Sequence, residues 1–200
     1  GGMGHGEIRL AIDLVAAVRD AVGPDVDLFI EAHGRFNPAT GVQIGRMLEP
    51  YNPGWYEEPV RSRHIRDLAA IGSRLSVPIA GGESLHYKEE FEELLSTKAV
   101  QVIQPDPITA AGITEMKKIA AVAQVHNVNL APHNAQGPVC TMACLQIDAS
   151  TPNVYIQETF EDFGTPLASL IVEDPIEIVD GYLEIPDRPG MGVELKEDVM

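Results

Sequence analysis

Cysteine, tryptophan and positive charge are scarce in this chain, and long apolar runs are missing. Two of the 200 residues are cysteines and one is tryptophan. Cys140 and Cys144 stand four apart in the apolar run VCTMACLQI, so on a helix they share a face. With no further Cys or His at zinc spacing they read as small buried core thiols, which excludes a disulfide framework and fits a reducing cytoplasm. No apolar run reaches the roughly 18 to 20 residues of a membrane span, and the N-terminal stretch has neither a basic region nor an uninterrupted apolar core. A soluble protein with no export signal is therefore expected. Lys and Arg number 14 against 30 Asp and Glu, a formal net charge of −16. That charge repels phosphate backbones and anionic lipid, so neither a nucleic-acid nor a membrane partner is expected. An acidic protein that binds an acidic substrate needs a local source of positive charge, and clustered carboxylates point to a divalent cation.

What the chain does contain is a repeating pattern. Hydrophobic residues make up 44% and charged residues 22%, ordinary for one globular domain. The opening GGMGHGE (1–7) is flexible by composition and does not begin with methionine, so the chain is expected to start mid-protein. A helix is expected over IRLAIDLVAAVRDAVG, closed by Gly23. Strand patterns then follow at VDLFIEAH, WYEEPV, VPIAGGES, AVQVIQPD, VNLAPH and VYIQETF, with helical stretches between them. Six strands alternating with helices imply parallel βα units.

Each strand candidate ends in a polar group. Glu31, Glu57 and Glu83 recur at intervals of 26, and Asp106, His133 and Glu158 follow at 23, 27 and 25. In a (β/α)₈ barrel of the TIM type the site is built from the C-terminal ends of successive strands, so these six groups would converge on one cavity. Such a barrel takes eight strands and about 250 residues, which leaves two βα units unaccounted for. The expected organisation is a barrel over 8–170 with about six of its eight units, the first strands lying outside the chain, and a C-terminal tail over 171–200 packing on the barrel or on another domain.

Three glutamates from adjacent strand ends make a hard, all-oxygen site, better suited to Mg²⁺ than to zinc. Asp106 and His133 are one barrel step apart, so the carboxylate is placed to hold one imidazole nitrogen and leave the other as a base. The bland alternative makes Asp106 a turn residue before Pro107. His33 follows Glu31 by two, which at strand periodicity sends both side chains to one side. His86 and Arg35, just after strand ends, are weaker candidates for touching substrate. His5, His64 and His126 read as surface or helix-end residues, Trp55 as core, and KEEFEELL as a solvated helix face with an apolar stripe.

The segments EAHGRF, WYEEPV, GGES, QPD and APHN, in this order, resemble the strand-end motifs of the enolase superfamily, mandelate racemase subgroup. The likeness is greatest to its galactonate and gluconate dehydratase-like members and runs from about Ile8 to Leu195. It implies Glu31, Glu57 and Glu83 as Mg²⁺ ligands, with Glu31 standing where Asp is more common. It implies Asp106 orienting His133 as general base, Glu158 hydrogen-bonded to the enolate oxygen, and His33 giving a proton to the departing hydroxyl. The implied activity is a Mg²⁺-dependent dehydration of a sugar acid through an enediolate to a 2-keto-3-deoxy acid, a hydro-lyase reaction, by a cytoplasmic homo-oligomer. The resemblance also implies an N-terminal α+β capping domain outside this chain. Racemisation or epimerisation of an α-hydroxy acid on the same fold, or metal binding without catalysis, are the competing expectations.

Overall fold

The structure, a computed structural model, describes residues 1–160 and 170–199. Five short strands form one parallel sheet in chain order: β1 (Phe29–Glu31), β2 (Trp55–Glu57), β3 (Ile79–Gly81), β4 (Val102–Ile103) and β5 (Asn129–Leu130). Each is followed by a helix: α2 (Pro38–Leu48), α3 (Ile65–Gly72), α4 (Lys88–Ser96), α5 (Ile113–Val125) and α6 (Pro138–Asp148), while α1 (His5–Val22) precedes β1. This is the alternation the sequence predicts. The first helix starts earlier than its pattern, because the Gly4 N–H donates to the Glu7 carboxylate at 2.7 Å and fixes the first turn, so His5 lies in the helix. Asn37 caps α2 by accepting from the Thr40 N–H at 2.9 Å, with Pro38 at its first position.

The core lies between the sheet and the helices. Leu48, Leu68, Ile71, Ile79, Phe91, Leu94, Ile103, Met116, Ile119 and Leu130 are buried there. The opposite face of the sheet carries a smaller cluster of Phe29, Trp55, Ala80, Val102 and Ala131, which floors the cavity described below. Phe29 and Trp55 stack with ring centroids 3.6 Å apart, as neighbouring strands in register place them. In α4 the acidic run is the solvated face it was expected to be, with Phe91, Leu94 and Leu95 turned inward.

The sixth expected strand is reduced to a single parallel bridge between Leu130 and Val154. The Leu130 N–H donates to the Asn153 carbonyl and the Tyr155 N–H to the Leu130 carbonyl, both at 2.8 Å. The next donor on that side would come from Pro132, which has no N–H, so the ladder stops. Residues 161–169, the end of the barrel range read from the sequence, lie outside the described residues. The tail contains an antiparallel hairpin, β6 (Ile178–Val179) with β7 (Tyr182–Leu183), turned at Asp180 and Gly181, both with positive φ. It reaches back to α6, where the Gln146 amide donates to the Met191 carbonyl at 3.4 Å.

Candidate active site

The parallel register brings the C-terminal ends of the strands to one mouth. Phe29, Trp55, Val102 and Ala131 face inward, and the two-residue period places Glu31, Glu57, Gln104 and His133 above them. Glu31 and Glu57 are direct register partners. Glu83 does not follow this rule: alternation from Ala80 would turn it outward. Gly82, at φ +125°, resets the direction, and a Cβ there would meet Phe91 Cε1 at 2.7 Å, so glycine is required. Glu31, Glu57, Glu83, Gln104 and His133 line a cavity of about 520 Å³ together with His33, Ile156, Gln157 and Glu158.

One carboxylate oxygen from each of Glu31, Glu57 and Glu83 lies within 4.8 Å of the other two. Three such groups repel one another. Burial and the neighbouring Glu57 carboxyl push the pKa of Glu31 up to about 9, and burial with Glu58 and Glu57 raises that of Glu83. A divalent cation relieves this repulsion, and an all-oxygen donor set fits Mg²⁺. Trp55 fixes the middle carboxylate, its Nε1–H donating to Glu57 Oε2 at 3.0 Å. Glu58, at φ +36°, turns out of the cavity and accepts from the Ser62 N–H at 3.3 Å, which separates the roles of the two glutamates in WYEEPV.

Asp106 and His133 are joined, with Nδ1 to Oδ2 at 2.7 Å. The N–H groups of Ile108 and Thr109 also donate to Asp106, at 2.7 and 3.2 Å. Although its burial acts the other way, these bonds hold the Asp106 carboxyl below the usual carboxylate range, so it is a turn residue and a His partner at once. His133 Nε2 lies 3.3 Å from Glu83 and 4.0 Å from Glu158. Burial disfavours the charged imidazole, but Asp106, Glu158 and Glu83 prevail and push its pKa up to about 9.

His33 reaches the same cavity by another route than expected. β1 ends at Glu31, and His33 stands in a left-handed turn at φ +50°, with its N–H donating to the Glu31 carboxylate. Arg35 and His86 are not among the residues lining the cavity: the Arg35 backbone bridges to Val60, and the His86 imidazole pairs with Glu90. Four contributors escape the sequence reading. Trp55 and Gln104 were findable by counting back two from Glu57 and Asp106, whereas Asn134 and Gln157 carry no periodic signal.

Comparison with known proteins decides the family. The model described as "Enolase C-terminal domain-like" matches residues 2–199. The chain belongs to this family. Among enolase relatives, it is 40% identical over 97% of its length to the D-gluconate dehydratase of Thermoproteus tenax, covering 39% of that protein. It is 35% identical over 99% of its length to the D-gluconate/D-galactonate dehydratase of Picrophilus torridus, covering 50%. A mandelate racemase/muconate lactonizing enzyme from Jannaschia sp. CCS1 superposes with a TM-score of 0.92 at 35% identity, over 98% of this chain and 50% of that one. The five-stranded parallel arc thus corresponds to part of the enolase-type barrel, and the chain spans about half the length of its relatives or less.

Proposed function

We propose that the protein is a Mg²⁺-dependent hydro-lyase that dehydrates an aldonic acid of the gluconate or galactonate kind to a 2-keto-3-deoxy acid. The observation that carries this reading is the meeting, in one cavity, of three carboxylates within 4.8 Å of one another and an Asp-held imidazole 3.3 Å from the third. The names of the Thermoproteus and Picrophilus relatives support the substrate class. Glu31, Glu57 and Glu83 would hold the cation, which when bound would supply the positive charge that stabilises the enediolate formed as the α-proton leaves.

The chain's own residues do the proton work. Asp106 fixes the His133 ring through Nδ1, so Nε2, facing the cavity, takes the α-proton. The C–H electron pair becomes the Cα=Cβ bond, the Cβ–O bond breaks, and His33 protonates the departing hydroxyl. One water leaves, and the resulting enol tautomerises to the 2-keto acid. Glu158 lines the same cavity 4.0 Å from His133 Nε2 and stands at the position that, in the resemblance, hydrogen-bonds the enolate oxygen. His33 beside Glu31 favours dehydration over racemisation, which needs a second base on the opposite face of the α-carbon.

The test is incubation with Mg²⁺ and a panel of aldonic and aldaric acids, followed by detection of 2-keto-3-deoxy products with a carbonyl reagent. Product from at least one aldonate is expected, with kcat lowered about 10²- to 10⁴-fold by His133→Ala. Exchange of the α-proton with solvent without any product would replace dehydration by racemisation or epimerisation. Neither product nor exchange would leave metal binding without catalysis.

A further inference from the structure

We propose that the Asn134 side-chain amide is a positioning group that holds the Glu158 main chain, and through it the carboxylate, against His133 from behind the cavity, an inference that rests on the role given to Glu158 above. Pro132 ends the backbone ladder between β5 and the Val154 segment, yet His133 and Glu158 both lie beyond that break. Side-chain amides take over there. The Asn134 backbone N–H, which any residue there would supply, donates to Glu158 Oε2 at 2.7 Å, while its side-chain Nδ2 donates to the Glu158 carbonyl at 3.2 Å and to Thr141 Oγ1 on α6 at 2.9 Å. Gln157 Nε2 donates to the same carbonyl at 2.7 Å and to the Pro132 carbonyl at 3.1 Å. Glu158 is therefore held at its main-chain carbonyl by two side-chain amides and at its carboxylate by one backbone N–H.

Asn134 is 0% exposed and is not among the residues lining the cavity, so it acts through Glu158 rather than on substrate. The side-chain amide oxygens of Asn134 and Gln157 are both buried without a partner among the described residues. Leaving a polar atom so is unfavourable, so packing alone does not account for an amide at either place. What the amides contribute is their N–H groups, which replace the missing ladder and tie Glu158 to α6 through Thr141. A displacement of about 1 Å at a reacting group lowers turnover by about 10²-fold, so this tie sets the rate while leaving metal binding alone.

A double-mutant cycle on the intact protein tests the inference. Asn134→Ala is expected to lower kcat about 10- to 100-fold with KM changed less than about threefold. In a Glu158→Gln background the same change is expected to add less than about twofold. Equal losses in both backgrounds would overturn the proposal. Thr141→Val, which keeps shape and removes the hydroxyl that accepts from Asn134 Nδ2, carries the same cycle if Asn134→Ala does not fold, with a smaller loss expected only when Glu158 is present. Should no sugar acid be turned over by the wild type, the functional reading fails by itself. Crystal structures of the two variants then decide the positioning: a Glu158 carboxylate moved by about 1 Å or more supports it, and one left in place overturns it.

Discussion

His133 faces a conflict that a cation resolves. A base must start neutral, yet in the bare site Asp106, Glu158 and Glu83 push its pKa up to about 9. Glu31 is likewise pushed up to about 9, so near neutral pH it holds a proton that a metal must displace. The sign follows from linkage: a carboxyl whose folded pKa exceeds its unfolded value stabilises the bare protein fully below pH 4.5, and that contribution is lost as pH rises through about 9. Cation and proton compete for one carboxylate, so Mg²⁺ affinity rises with pH by up to about tenfold per unit below pH 9. Calorimetric titrations at pH 6.5 and 8.5 are expected to differ by up to about 100-fold, and equal affinities would contradict the assignment of Glu31. At this scale the sequence was informative about identity and less so about route. The interval from Glu31 through Glu57 to Glu83 located the carboxylates, but nothing in EAHGRF announces that His33 arrives through a left-handed turn.

The strands are two or three residues long, shorter than the apolar runs that announce them, because their last residues leave the ladder to form the cavity mouth. Alternation correctly predicts the inward face of β1, β2, β4 and β5, but β3 obeys it only as far as Gly82. Replacing Gly82 by Ala puts a Cβ 2.7 Å from the Phe91 ring in a conformation that L residues rarely adopt. The expected result is a loss of about 1–3 kcal/mol in stability and a 10- to 100-fold loss of Mg²⁺ affinity as Glu83 is misdirected. Gly6→Ala in α1 is the control, since nothing lies within 4 Å of a Cβ there, and it is expected to leave both unchanged or slightly improve stability. Denaturant unfolding and calorimetry on the two variants read both quantities. The sixth strand was over-read for a similar reason: VYIQETF has the right pattern, but Pro132 on the neighbouring segment cannot donate to it.

The whole molecule carries a formal charge of −16, and three of its acidic side chains crowd together in the cavity. A sugar acid approaches such a surface only where positive charge is supplied, so the cation is the first requirement of the proposed chemistry. Fold class was legible because alternating βα units leave few topologies, and the match over residues 2–199 agrees with it. The tail was legible only at its turn signals, Asp180-Gly181 and Arg188 to Gly192, where the Gly192 N–H donates to the Pro189 carbonyl at 3.3 Å, since elsewhere it has no period to read. Calorimetric titration of Mg²⁺ into the wild-type protein and into Glu57→Gln at pH 8 tests the central claim most directly. One Mg²⁺ per chain, bound at least about tenfold more weakly by the variant, is the predicted result. Equal binding by both proteins, or none by the wild type, would contradict a metal centre built from Glu31, Glu57 and Glu83.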